Sequence, residues 1–196
     1  QTVVVSAPGV RVTTEQDTMT LADATDSATA WQLSLMNTAL FETNASIYVT
    51  DPVRVQDGVE FDWFTSFTSN TFNLDAAETT TVGLTMVHPA PPPPGLYRMV
   101  VTGTDIENDI DSELMLYFEV PILAEGDIVL PGEQFLVSPL EPTNLQILVF
   151  NEGNGAQTYD VELVSPAGWH LGLDTLGAFA GSSHGSTGTL AKDAGR

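Results

Sequence analysis

The stretch Asp105-Ile106-Glu107-Asn108-Asp109-Ile110-Asp111-Ser112-Glu113 sets a carboxylate at every second position. Hard cations take about six to eight oxygens at about 2.3–2.6 Å, and a loop of alternating acids can converge several of them. Asp105, Glu107, Asp109 and Asp111 are therefore the candidate metal ligands, with Ca²⁺ as the cation. The motif is no EF-hand, because no glycine stands at the sixth loop position and the flanks read as strands. The competing reading is a solvated hairpin loop whose acids discourage edge-to-edge aggregation. The pairs Asp23/Asp26 and Asp51/Asp57 are sparser versions of the same idea.

Other chemistry is thinly supported. His88, His170 and His184 lack the HExxH spacing that zinc sites use. Ser182-Ser183-His184-Gly185-Ser186 puts serines beside a histidine, but a nucleophile needs an elbow, a base and an orienting acid meeting in space. The surrounding Gly/Ser sequence reads as loop. A glycosidase pair needs one acid in a dry pocket about 5–10 Å from its partner. Glu60 and Asp62 instead alternate with Phe61 and Trp63, as a half-exposed strand does. No catalytic residue is assigned, and the chain reads as a non-enzyme. Trp31 and Trp63 alternate in phase with apolar neighbours, which is core patterning. Trp169 follows Pro166-Ala167-Gly168 and is kept as the candidate ligand-binding aromatic. Asn44-Ala45-Ser46 is an N-glycosylation sequon, read as lying in the loop before the Ile47 strand.

These residues have to be positioned by strands. Thr, Val, Ser, Gly and Pro outnumber helix formers, and no apolar 3.6-residue period is sustained. Net charge is −21, from 26 acidic and five basic residues. Such a field repels phosphate backbones and anionic lipid, arguing against nucleic-acid and membrane-surface partners. No run of 18 apolar residues is present, so no membrane insertion is expected. Without cysteine there is neither a disulfide framework nor a thiolate metal site, and no cofactor is required.

The chain also repeats itself. Residues 31–52 and 145–166 align without a gap, with Asn37 on Asn151 and Pro52 on Pro166, each 114 residues apart (151 − 37 and 166 − 52). In each copy one alternating run ends at Asn and a second ends at Pro. The expected boundaries are 1–121 and 122–196, joined through Pro121 and residues 122–126. Strands are expected at Val3–Val5, Val10–Val12, Trp31–Leu35, Ile47–Val49, Val59–Trp63, Thr79–Val87, Leu96–Thr104 and Leu114–Val120. Residues 17–28 and 64–75 read as long inserts. The prolines of His88–Tyr97 read as a stiff crossover, with a groove-docking polyproline segment as the competing role. Seven or so short strands between turn residues predict an immunoglobulin-like sandwich. The second copy lacks counterparts of the later strands and reads as truncated or completed by another chain.

Leu33–Asn37 and Pro94-Gly95-Leu96-Tyr97 in the first copy, with Asn151-Glu152-Gly153-Asn154-Gly155 and Ser165–Trp169 in the second, carry a resemblance. They resemble the NEW3/CARDB group of immunoglobulin-like accessory modules in bacteria and archaea. The resemblance implies an extracellular or cell-surface setting, adhesion, spacing or glycan proximity, and no shared catalytic residues. The expected class is thus all-β: tandem immunoglobulin-like sandwiches, the second incomplete. The expected role is a non-catalytic structural and interaction module of a larger repeat or surface protein. Its partners would be protein or glycan at a cell surface, or neighbouring copies of itself. The alternatives are a carbohydrate-binding accessory domain and a filament subunit assembled by strand exchange.

Overall fold

In the computed structural model, residues 9–23, 26–130, 132, 144–164 and 184–192 are described below. They form strands and no helix. The chain divides into two compact units, Gln1–Pro121 and Ile122–Arg196.

The first unit holds β1 (Val10–Thr14), β2 (Thr18–Thr20), β3 (Ala28–Asn37), β4 (Thr43–Val49), β5 (Val53–Arg54), β6 (Phe64–Phe67), β7 (Thr71–Leu74), β8 (Thr79–Val87), β9 (Gly95–Asp105) and β10 (Ile110–Val120). One sheet runs β1-β3-β8-β6. The other runs β2-β10-β9-β4-β7, with β5 continuing beside β9 after Pro52 interrupts β4. Period-2 alternation decides which side chains enter the core. Trp31, Leu33 and Leu35 of β3 and Val82, Leu84 and Met86 of β8 are buried, facing Tyr97, Met99 and Val101 of β9 and Leu116 and Phe118 of β10. Trp31 meets Phe118 edge-on across the sheets, with ring centroids 6.5 Å apart.

This strand order is that of an immunoglobulin-like sandwich. The first strand is split between the sheets: β1 pairs antiparallel with β3, and β2 crosses over to lie parallel to β10. Gly103 of β9 lies directly against Val12 and Leu35 of the facing sheet. A Cβ there would sit 2.5 Å from Val12 Cγ2 and 3.2 Å from Leu35 Cδ1, so only glycine fits.

The proline run spans the connection from β8 to β9, as a crossover. Gly95, at φ +148°, turns it into β9, and the Tyr97 hydroxyl donates back to the Pro93 carbonyl at 2.7 Å. That bond, at the start of β9, has the form of the tyrosine corner of such sandwiches. Tyr97→Phe removes it without opening a cavity. Loss of about 1 kcal/mol is expected, lowering the thermal midpoint by roughly 4–8 °C in a circular-dichroism melt.

Several expectations need correction. Val59–Trp63 is not a strand; it holds only an isolated bridge from Glu60 to Val53. Phe61 and Trp63 both turn toward Tyr97, with centroids 5.3 and 4.7 Å away, so the two rings share a side as alternation expects, but no strand ladder forms. The supposed inserts contain β2, β6 and β7, pieces of three or four residues too short for periodicity to register. Asn44 stands inside β4, opposite Asn73 of β7, rather than in a loop.

The second unit contains β11 (Gly126–Val129), β12 (Leu148–Asn151), β13 (Gln157–Glu162) and β14 (His184–Leu190). β11 pairs with β12, and β13 with β14. The Gly/Ser-rich tract read as loop therefore supplies β14, because register with β13 outweighs the weak local propensity of its residues. β11–β12 repeats β1–β3, ending at Asn151 as the other ends at Asn37. β13–β14 repeats β4–β7, pairing Gln157 with Leu190 as Thr43 pairs with Leu74. Counterparts of β8, β9 and β10 do not occur among the described residues. Val3–Val5 and the Pro166 end of the repeat lie outside the described residues.

Candidate functional site

The β9–β10 hairpin carries the acidic loop. Asp105 ends β9 opposite Ile110, leaving a tight turn between them that closes on Asp109 at φ +53°. Strand alternation points Asp105 into the sandwich, where it is fully buried. Its Oδ1 accepts from the Thr43 hydroxyl at 2.8 Å and from the backbone amides of Glu107 and Asn108 at 3.1 and 3.2 Å. Its Oδ2 accepts from Asn108 Nδ2 at 2.9 Å. Burial pushes the Asp105 pKa up, but the bonds from Asn108, Thr43 and the two amides outweigh it, leaving the carboxyl below its usual 3.8.

The other acids go elsewhere. Glu107 Oε1 accepts from Asn44 Nδ2 at 3.0 Å, across to β4. Asp111 Oδ1 accepts from the Thr104 hydroxyl at 2.6 Å, on the outer face of the sheet. Alternation in sequence becomes convergence only in an open loop. Here the strands run up to the turn and send Asp105 and Asp111 to opposite faces. Among the described residues no three Asp, Glu or His side chains come together as a metal-holding group. Asp57 is likewise engaged locally: the Arg54 guanidinium clamps it with two nitrogens and holds it below the usual carboxylate range.

Beside the loop, Asn44, Ala45, Thr71, Phe72, Asn73 and Ile106 line a shallow recess of about 270 Å³. Ligand pockets run about 300–1,000 Å³ and enclose most of their ligand, so this recess suits a surface contact better than a small molecule. It places the sequon residue Asn44 at an exposed rim. Trp31 and Trp63 are buried at 2% and 7% exposure, so neither offers a ring to a sugar. His88 is buried against the Trp63 and Phe118 rings, between the Thr29 hydroxyl and the Pro89 carbonyl. Trp169, His170, Ser182 and Ser183 lie outside the described residues.

The residues whose structural role the sequence reading missed are the two repeat markers. Asn37 is fully buried; its Nδ2 donates to the carbonyls of Phe41, Leu74 and Asp75 at 2.8, 3.1 and 3.0 Å, and its Oδ1 accepts from the Ala39 amide. Asn151 does the same in the second unit. Its Nδ2 donates to Gly155 and Leu190 carbonyls at 2.8 and 3.1 Å, and its Oδ1 accepts from the Gly153 amide. Each asparagine ties the end of one strand to an antiparallel pair of the other sheet, β4–β7 or β13–β14. The signal was present in the sequence as an Asn closing an apolar strand twice, in step.

No protein-family model matches the chain, and no curated protein matches it. Among solved structures it is similar to PapD-like domain 7 of human CEP192, at 14% identity and a TM-score of 0.41 over 62% of this chain and 92% of that one. It is also similar to the class 5 fimbriae chaperone CfaA, at 9% identity and a TM-score of 0.40 over 95% and 84%. A family 123 glycoside hydrolase from Clostridium perfringens is similar over 58% of this chain and 27% of its own, at 12% identity and a TM-score of 0.46. Likeness at this level carries no argument about function.

Proposed function

We propose that the chain is a non-catalytic structural and interaction segment of a larger surface or repeat protein, working outside the cell as a spacer that presents loops. The recurrence of the buried-asparagine clip, with equivalent partners in both units, carries this reading: one β-module plan is used twice in tandem. An acidic, cysteine-free surface suits salty extracellular water, where screening makes self-repulsion cheap.

The spacer mechanism follows from the first unit's ends. β2, near its start, lies parallel to β10, near its finish, with Thr18, Met19 and Thr20 opposite Tyr117, Phe118 and Glu119. Two backbone bonds bracket the patch, Tyr117 N to the Asp17 carbonyl at 2.7 Å and Leu21 N to the Glu119 carbonyl at 2.9 Å. Tension along the chain pulls parallel strands in opposite directions, loading these bonds together rather than one after another. Single-molecule pulling through the termini should give a distinct force peak for this unit. Met19→Pro, which deletes a donor in the patch, should lower that peak. Equal peak forces for both proteins would remove the mechanism, and extension without a peak would remove the spacer role.

A second reading, assembly by strand exchange, is favoured by one observation. Among the described residues β12 has a single strand neighbour, whereas its counterpart β3 has two. An unpaired strand edge is a template for another strand.

A further inference from the structure

The acidic residues are not spread evenly over the first unit. β1, β3, β6 and β8, the whole of one sheet, contain no Asp or Glu, although the chain holds 26. The outward face of that sheet follows from its register. Its rows are Arg11-Met36-Thr79, Thr13-Ser34-Thr81, Gln32-Gly83-Thr68, Ala30-Thr85-Ser66 and Ala28-Val87-Phe64. Arg11 is the single charge. The last row is apolar and open, with Phe64 67% and Val87 43% exposed, and Met36 at the far end is 38% exposed. The opposite outer face differs: Asp111, Glu113 and Glu119 of β10 project from it beside Arg98 of β9.

We propose that the outer face of β1-β3-β8-β6 is the surface through which a second copy of this chain packs. The charge distribution selects that occupant. A two-fold contact sets a patch against itself. With a net charge of −21, self-contact through the opposite outer face brings carboxylates against carboxylates, while this face meets itself without one. Arg11 adds attraction toward an acidic copy. Five rows about 6.8 Å apart, each three strands wide at about 4.8 Å per strand, cover roughly 500 Å² per copy, or about 1,000 Å² in all. That sits at the lower bound for a specific interface, so the contact is weak and reversible.

Weak packing between two strongly acidic chains has a distinctive salt response. Salt screens the residual repulsion, so association tightens as ionic strength rises, opposite to an interface built on ion pairs. The test is sedimentation equilibrium of the whole chain up to about 1 mM, in roughly 0.05 and 0.5 M NaCl. Concentration-dependent dimerisation, stronger at high salt, is expected. Thr81→Glu with Thr85→Glu should raise the dissociation constant at least about tenfold. Met115→Glu, on the other outer face, should change it less than about threefold, with thermal melts showing that both variants fold. A monomer under all conditions would overturn the proposal and leave the face to a foreign partner. Dimerisation indifferent to Thr81 and Thr85 would overturn it too, and would point instead to strand exchange at β12.

Discussion

Asn37→Leu is expected to cost the first unit about 3–5 kcal/mol, since each buried polar group left unpaired costs about 1–3 kcal/mol. Leucine fills nearly the same volume but strands the carbonyls of Phe41, Leu74 and Asp75 and the amide of Ala39. Some of these groups reach water as the loop relaxes, so the penalty stays below the sum of four. The thermal midpoint should fall by at least about 12 °C. Urea denaturation followed by tryptophan fluorescence in a Trp169→Phe background reports this unit, because the remaining Trp31 and Trp63 lie in its core. Asn37→Asp should be at least as damaging, because it aims a carboxylate oxygen at carbonyls that need a donor. Asn151→Leu should weaken the second unit through Gly155, Leu190 and Gly153 in the same way. A loss under about 1 kcal/mol for Asn37→Leu would show that the clip is incidental.

Asp105→Ala should cost about 3 kcal/mol, because it removes a buried carboxylate and leaves Thr43, Asn108 and two backbone amides without their acceptor. The effect depends on pH in a defined direction. The folded-state pKa of Asp105 lies below 3.8, its ordinary value. Its contribution is therefore fully present above the unfolded pKa and fades as pH falls through the folded one. The stability gap between the native protein and Asp105→Asn should be constant near neutrality and shrink below about pH 4. Denaturation midpoints taken from pH 7 down to about pH 2.5 measure this. A gap that widens on acidification would mean the carboxylate is not held in its charged form by these donors.

Both residues mark the limit of reading along the chain. The apolar alternation of Trp31–Leu35 and Thr79–Val87 foretold strands and their buried faces, because side-chain direction in a strand repeats every two residues. Two short strands, β6 and β7, escaped that test, since four residues give alternation too little length to stand above chance. The acidic loop was visible as composition, but its geometry was not. Whether five alternating acids converge depends on where the turn begins, and pairing with the partner strand sets that point.

By itself, then, the sequence determined the all-β class, the two-copy plan, the proline crossover and the core tryptophans. Each is a local pattern, or a local pattern met twice. The tertiary structure decided which way Asp105 points, what Asn37 holds and which sheet is left without carboxylates. Asn37 finds Leu74 across 37 residues, and Thr43 finds Asp105 across 62. Contacts at that separation arise only when two sheets close on each other, and no stretch of neighbouring residues encodes them.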